Sequence, residues 1–243
     1  MNDYKLLSSQ GFRIDGRRPH ELREIKCKLG ISAGADGSAF VEQGNTKVLV
    51  SVHGPHDITS FKSRLLHDRA YINCEFRSAP FSGYKRKKSS LFDKMNKQME
   101  VVLKQAFETT ILSWLYPRSQ IDIFFLPLST DGGICSACIN AGTLALIDAG
   151  ISLKDFLCAC SSGIINDEPL VDINHFEKTL GGAELNLAVL QKSGAIVCDE
   201  LATERLHRDH IAKIRYKALE GCKQTYEILD AVVRKHYIQS NIS

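Results

Sequence analysis

The run Ser129-Thr-Asp-Gly-Gly-Ile-Cys-Ser-Ala-Cys-Ile-Asn-Ala-Gly-Thr-Leu-Ala-Leu-Ile-Asp-Ala-Gly150 decides the architecture. It opens on a turn, Ser129–Gly133, and continues as an Ala-rich stretch that predicts a helix over Cys135–Ala149, stopped by Gly150. Gln120–Leu126, just before it, reads as a strand. Strand, glycine turn and helix in this order leave unbonded backbone N–H groups at a helix N-terminus, a geometry that suits a phosphate. The same turn would also serve a buried helix that needs glycine only for its positive φ.

Outward from this unit, the N-terminal third reads as strands. Arg23–Ser32 alternates with Ile25, Cys27, Leu29 and Ile31 on one face, and Gly37–Glu42 and Thr46–Val52 flank a Gln43-Gly-Asn45 hairpin turn. Gly54-Pro55 is expected to stop that ladder, and Tyr71–Phe76 alternates as a fourth strand. Met99, Val102, Leu103, Phe107, Ile111 and Leu115 recur at three and four residues, predicting a helix over Asp93–Trp114 closed by Pro117. In the second half, Asp155–Ile165 reads as an apolar strand, Glu184–Gln191 and Ala195–Asp199 as paired strands, and Arg205–Arg234 as a long helix. Strands lead and helices follow in each half, so the fold class is α+β, with helices packed on mixed or mostly antiparallel sheets. No low-complexity linker divides the chain, and residues 1–243 are expected to form a single domain.

Composition agrees with a globular chain of 243 residues: 44% are hydrophobic and 24% charged, which excludes a disordered tail, a collagen-like repeat and a disulfide-dense mini-protein. Lys and Arg total 31 against 28 Asp and Glu, a net +3 too small to argue for nucleic acid by itself. Met1–Ser9 lacks the apolar core of an export signal, and no run approaches the roughly 18 apolar residues of a membrane span. No membrane partner is therefore expected, and the eight cysteines should stay reduced, mostly as small core residues.

Three stretches carry candidate chemistry. Gly132, Gly133 and Ser136 form the candidate anion cradle. Asp167, Glu168, Asp172 and Glu177 follow a strand; Asp172, between Val171 and Ile173, is the best placed to act as a general acid, unless these are solvated loop carboxylates. Lys85, Arg86, Lys87 and Lys88 follow Phe81 and Tyr84, with Lys62 and Arg64 before them and Lys94 and Lys97 after, a concentrated positive patch suited to phosphate backbones. Cys135 and Cys138 make a C-x-x-C, and Cys158 and Cys160 a C-x-C on one strand face; a four-Cys zinc site is the lesser reading beside small core residues, so neither a metal nor a cofactor is expected.

These pieces fall in one order: Arg13-Ile-Asp-Gly-Arg-Arg18, Ala35-Asp-Gly-Ser-Ala39, Glu42-Gln-Gly-Asn-Thr46, Pro117-Arg-Ser-Gln-Ile-Asp122, Asp131-Gly-Gly133 and Asn140–Gly150. In that order the chain resembles the RNase PH family over nearly its whole length. Within the family it looks most like the eukaryotic RNA exosome ring subunit that corresponds to the archaeal catalytic subunit. The resemblance implies a ribosomal-protein S5 domain 2-like α+β fold. It also implies a hexameric ring of RNase PH-like chains capped by S1/KH subunits, partnered by a hydrolytic nuclease and threaded by single-stranded RNA, in nucleus, nucleolus and cytoplasm. Active relatives use phosphate to cleave the terminal phosphodiester of RNA, holding it with a Gly-Gly-Thr-Arg-Ser sequence, two acidic residues six positions apart and a pair of arginines.

Here the first of these reads Gly132-Gly-Ile-Cys-Ser136, the second pairs Asp172 with Lys178, and the third is Lys94-Met95. Three departures together lead to the expectation of a non-catalytic ring subunit, an inactivated phosphorolytic exoribonuclease that supports 3′-to-5′ RNA processing and degradation, including that of rRNA. Gly132, Gly133, Ser136 and Asp172 would be remnants of its site, and Lys62, Arg64, Lys85–Lys88 and Lys94 would contact RNA. The alternative is an active phosphate-dependent exoribonuclease releasing nucleoside diphosphates.

Overall fold

The computed structural model describes residues 11–57, 67–84, 86, 94–165, 167–179, 183–201 and 206–240. The first half builds a five-stranded sheet from β1 (Ile25–Leu29), β2 (Gly37–Gln43), β3 (Thr46–Asp57), β4 (Tyr71–Phe76) and β5 (Ser119–Ser129). Their spatial order is β1-β2-β3-β5-β4. The β2–β3 hairpin pairs Gln43 with Thr46 across its Gly44-Asn45 turn, as the sequence predicts. β4 runs parallel to β5 while the other pairs are antiparallel, so the sheet is mixed. The second half builds a wholly antiparallel sheet, β7-β6-β8-β9, from β6 (Leu157–Ile165), β7 (Glu168–Val171), β8 (Ala183–Leu190) and β9 (Ile196–Leu201).

Helix α2 (Ile134–Asp148) is buried on every side from Cys135 to Leu146, because it lies against strands of both sheets. Its small residues permit this. Gly142 sits so close to Phe107 that a Cβ there would stand 2.5 Å from the Phe107 ring. α1 (Lys94–Thr110) covers β4, and α4 (Arg208–Ser240) covers β6, β7 and β8. The larger core draws Val48, Val50, Ile123 and Phe125 from the first sheet together with Leu157, Cys158 and Ala188 from the second. The predicted α+β class with packed helices is what the chain adopts.

Three local expectations are corrected. β3 does not stop at Gly54-Pro55: a register shift between His53 and His56 absorbs the proline, and pairing with β5 resumes at His56 and Asp57. Helix α1 ends at Thr110 rather than Trp114, because residues 152–154 take over its end. There, Lys154 N–H donates to the Thr110 carbonyl and Leu112 N–H to that of Ser152. The short strand β7 and the one-turn helix α3 (His175–Thr179) escape the sequence reading altogether. Asn174-x-x-Glu177 did signal the helix. Glu177 N–H donates to Asn174 Oδ1 at 2.9 Å and Asn174 N–H to Glu177 Oε2 at 3.0 Å, a reciprocal cap.

Candidate functional site

The turn after β5 reverses the chain through two left-handed residues, Gly132 at φ 80° and Gly133 at φ 62°. Neither tolerates a side chain. A Cβ at Gly132 would meet the Ile173 carbonyl at 2.5 Å, and one at Gly133 would meet Ser161 Oγ at 2.9 Å. Gly133 is the N-cap of α2 and brings no capping side chain, and the first intrahelical bond is that of Ala137 N–H to the Gly133 carbonyl. The N–H groups of the first turn are thus left for another acceptor, at the positive end of the helix dipole.

This N-terminus opens into a cleft of about 310 Å³. Gly132, Gly133, Ile134 and Cys135 form one wall, His175 and Lys178 of α3 a second, and Glu184, Asn186 and Glu200 of β8 and β9 a third. Phe76, Met95 and Met99 add an apolar side. Lys178 is the cation among the described lining residues, and its Nζ lies 2.5 Å from Glu184 Oε2. At the rim, Tyr84 stacks on His175 with ring centroids 4.6 Å apart, and its hydroxyl donates to Asp131 Oδ1. The charge of Asp131 pushes the Tyr84 phenol up from its ordinary pKa.

Gly132 and Gly133 reach the cleft; Ser136 and Asp172 lie beneath it. Ser136 is fully buried and its Oγ donates to the Gly133 carbonyl at 2.8 Å. Asp172 is also fully buried, at φ 53°, and accepts from Arg23 three times: from N–H at 2.9 Å, from Nε at 2.9 Å and from Nη2 at 2.6 Å. Burial acts to raise its pKa, but the Arg23 hydrogen bonds and charge win and hold it below the usual carboxylate range. Arg23 reaches on to the carbonyls of Asp131 and Gly132, tying the acidic loop to the glycine turn. Glu177, in turn, accepts from Arg13 Nε at 2.7 Å and Nη2 at 2.5 Å, both residues being buried. The acidic pair is thus an anchor for the N-terminal segment, and Asp172 is held ionised, the state opposite to that of a general acid.

Lys94 opens α1 and is exposed, as is Arg86. Lys62, Arg64, Lys85, Lys87 and Lys88 lie outside the described residues. All eight cysteines are free. Cys135 and Cys138 are buried on α2, where burial raises both thiols far above their ordinary pKa. Among the described residues, no group of three or more His, Cys, Asp or Glu is placed to hold a metal ion, and no helix is long and apolar enough to cross a membrane.

Residues 21–152 match the pattern of the 3′ exoribonuclease family, domain 1 (RNase PH), and residues 155–221 match domain 2 of the same family. The mouse protein "Exosome complex component RRP41" is 47% identical over 243 residues, covering all of this chain and 99% of that protein. "Exosome complex component Rrp41" of the archaeon Thermococcus onnurineus is 35% identical, covering 98% of this chain and 94% of its own. The structure described as "archaeoglobus fulgidus exosome with RNA bound to the active site" superposes with a TM-score of 0.75 at 20% identity, over 90% of this chain and 92% of that one. The expectation of a chain without enzymatic activity is overturned by these matches: both halves carry the exoribonuclease pattern, and the likeness runs end to end into the archaeal Rrp41. Ile134-Cys135 brings no cation to the glycine turn, but Lys178, where the family pattern has a carboxylate, stands in the same cleft as the helix N-terminus.

Proposed function

We propose, from the premise that this chain belongs to the RNase PH family of 3′ exoribonucleases, that it is an exosome component which shortens RNA from the 3′ end with inorganic phosphate as nucleophile. A phosphate oxygen bonds to the phosphorus that joins the last nucleotide to the chain. The bond from that phosphorus to the preceding 3′ oxygen breaks, the freed oxygen takes up a proton, and the last nucleotide leaves as a nucleoside diphosphate. The observation that carries this reading is the uncapped α2 N-terminus facing a cleft that also holds Lys178. N–H groups and an ammonium aimed at one cavity suit two phosphoryl groups brought together, whose mutual repulsion is the main obstacle to the reaction.

The names of the relatives support assembly with further exosome subunits. From the family we propose RNase PH-like neighbours, S1/KH caps, a hydrolytic nuclease and single-stranded RNA as partners, with rRNA processing among the tasks and nucleus, nucleolus and cytoplasm as the places. Arg86 and Lys94 are proposed to touch RNA backbone, together with Lys62, Arg64, Lys85, Lys87 and Lys88.

The test is shortening of 5′-labelled RNA by the assembled complex with and without inorganic phosphate. Nucleoside diphosphates released only with phosphate, and kcat/KM lowered about tenfold or more by Lys178→Ala, are expected. Nucleoside monophosphates released without phosphate, or diphosphate release indifferent to Lys178→Ala, would overturn this reading.

A further inference from the structure

The third wall of the cleft differs in kind from the first two. Glu184 and Asn186 are two residues apart on β8 and so share a face, and Asn186 pairs in register with Glu200 of β9. All three line the cleft. Asn186 is only 8% exposed, and its buried Oδ1 accepts no hydrogen bond from any described residue. Glu200 accepts from Gln98 Nε2 at 3.2 Å through one oxygen, Oε1. A buried carbonyl oxygen left without a donor forfeits its hydration with nothing in return, so it marks a place where a donor is wanted. One side of the cleft thus presents N–H donors; Lys178 at its edge pairs with Glu184, and the β8–β9 side adds acceptors, with Asn186 Oδ1 the unpartnered one.

A ligand that fits both sides has a phosphoryl group at one end and hydroxyl donors at the other. Resting on the reading of the cleft as the place where RNA 3′ ends react, we propose that Asn186, flanked by Glu184 and Glu200, binds the 2′,3′-diol of the terminal ribose. Carboxylate and amide oxygens are suited to ribose hydroxyls, and the 2′-hydroxyl is the group that separates RNA from DNA. The diol is favoured over a base edge by a simple argument. Stepwise removal of nucleotides presents a new base at each step but the same diol, and a wall tuned to one base would stall at the others. Asn186 is therefore a sugar-reading residue, and the apolar side formed by Phe76, Met95 and Met99 accepts whichever base accompanies the sugar.

The assembled complex should be titrated, in buffer free of phosphate, with two fluorescent oligoribonucleotides of one sequence. One ends in ribose and the other in 2′-deoxyribose. The wild type should bind the ribose end about tenfold more tightly, the worth of about one neutral hydrogen bond to a buried acceptor. Asn186→Leu, which replaces the amide by an apolar group of similar size, should reduce that preference to near unity. Glu184→Gln provides a second variant that keeps shape and should reduce it in part. Equal affinity of the wild type for the two ends, or a preference unchanged in a folded Asn186→Leu complex, would overturn the assignment. Diphosphate release is scored separately. A wild type that releases diphosphates but ignores the terminal sugar defeats the sugar site alone, whereas one that reads the sugar but needs no phosphate defeats the phosphorolytic reading alone.

Discussion

Asp172 is a residue whose carboxylate is bound on both oxygens by Arg23, with a second guanidinium, Arg17, 3.8 Å from Oδ2. Removing it leaves the Arg23 guanidinium, 7% exposed, without its counter-charge. Asp172→Ala should therefore cost about 3–5 kcal/mol, read as a lowered urea midpoint at neutral pH. The depressed pKa adds a sign. The stabilisation is whole above the ordinary carboxylate value of 3.8 and is lost as pH falls below it through the folded value. The wild type should consequently lose stability more steeply than Asp172→Ala on acidification below about pH 4. A wild type and variant that lose stability in parallel would show that ionisation of Asp172 is not coupled to folding. This residue was legible in the sequence as special but not in its role. What decides that role is Arg23, 149 residues away, and nothing in a single sequence links two positions so far apart.

Helix α2 is the element on which the site depends, since its start supplies the N–H groups and its body is sealed between two sheets. Gly142 is the point of closest approach. A Cβ there would lie 2.5 Å from Phe107 Cζ and 3.1 Å from Phe125 Cε1, both rings being fully buried. Alanine favours helix more than glycine does, yet the overlap with two immobile rings outweighs that gain. Gly142→Ala should lower stability by about 1–2 kcal/mol, measured by denaturant unfolding. A stabilised variant would mean that Phe107 yields readily. At this scale the sequence was informative. Alternation placed β1 and β4, short strand-like runs bounded by turns placed β2, β5, β8 and β9, an apolar run placed β6, and the glycine turn placed α2 within a residue at each end. It failed where the backbone is completed by remote partners: the end of α1 is taken up by residues 152–154, and β3 outlasts its proline through pairing with β5. The third wall of the cleft was missed for the same reason. Glu184 and Asn186 share a face of β8, but Glu200 joins them only through strand register.

Across the whole molecule, the two sheets share one large apolar interior. Leu157, Cys158, Ala159 and Ala188 of the second sheet, and Leu229 of α4, join the same buried group as Val50, Ile72 and Phe125 of the first. We propose that the halves therefore unfold as one unit, although the family pattern divides them near residue 153. Amide exchange of β3 and β5 should report the same opening free energy as that of β6 and β8, and far-UV circular dichroism should show one transition. Two resolved transitions would assign each half its own stability.

Arg13 and Arg23 precede their partners Glu177 and Asp172 by 164 and 149 residues. The consequence is one of timing during synthesis. At about 5–20 residues per second, both guanidiniums emerge roughly 10–30 s before the carboxylates that receive them, so the opening segment cannot dock until the second half has left the ribosome. A segment made early is thus among the last to settle, and until it does the guanidinium that fastens the glycine turn lacks its own anchor.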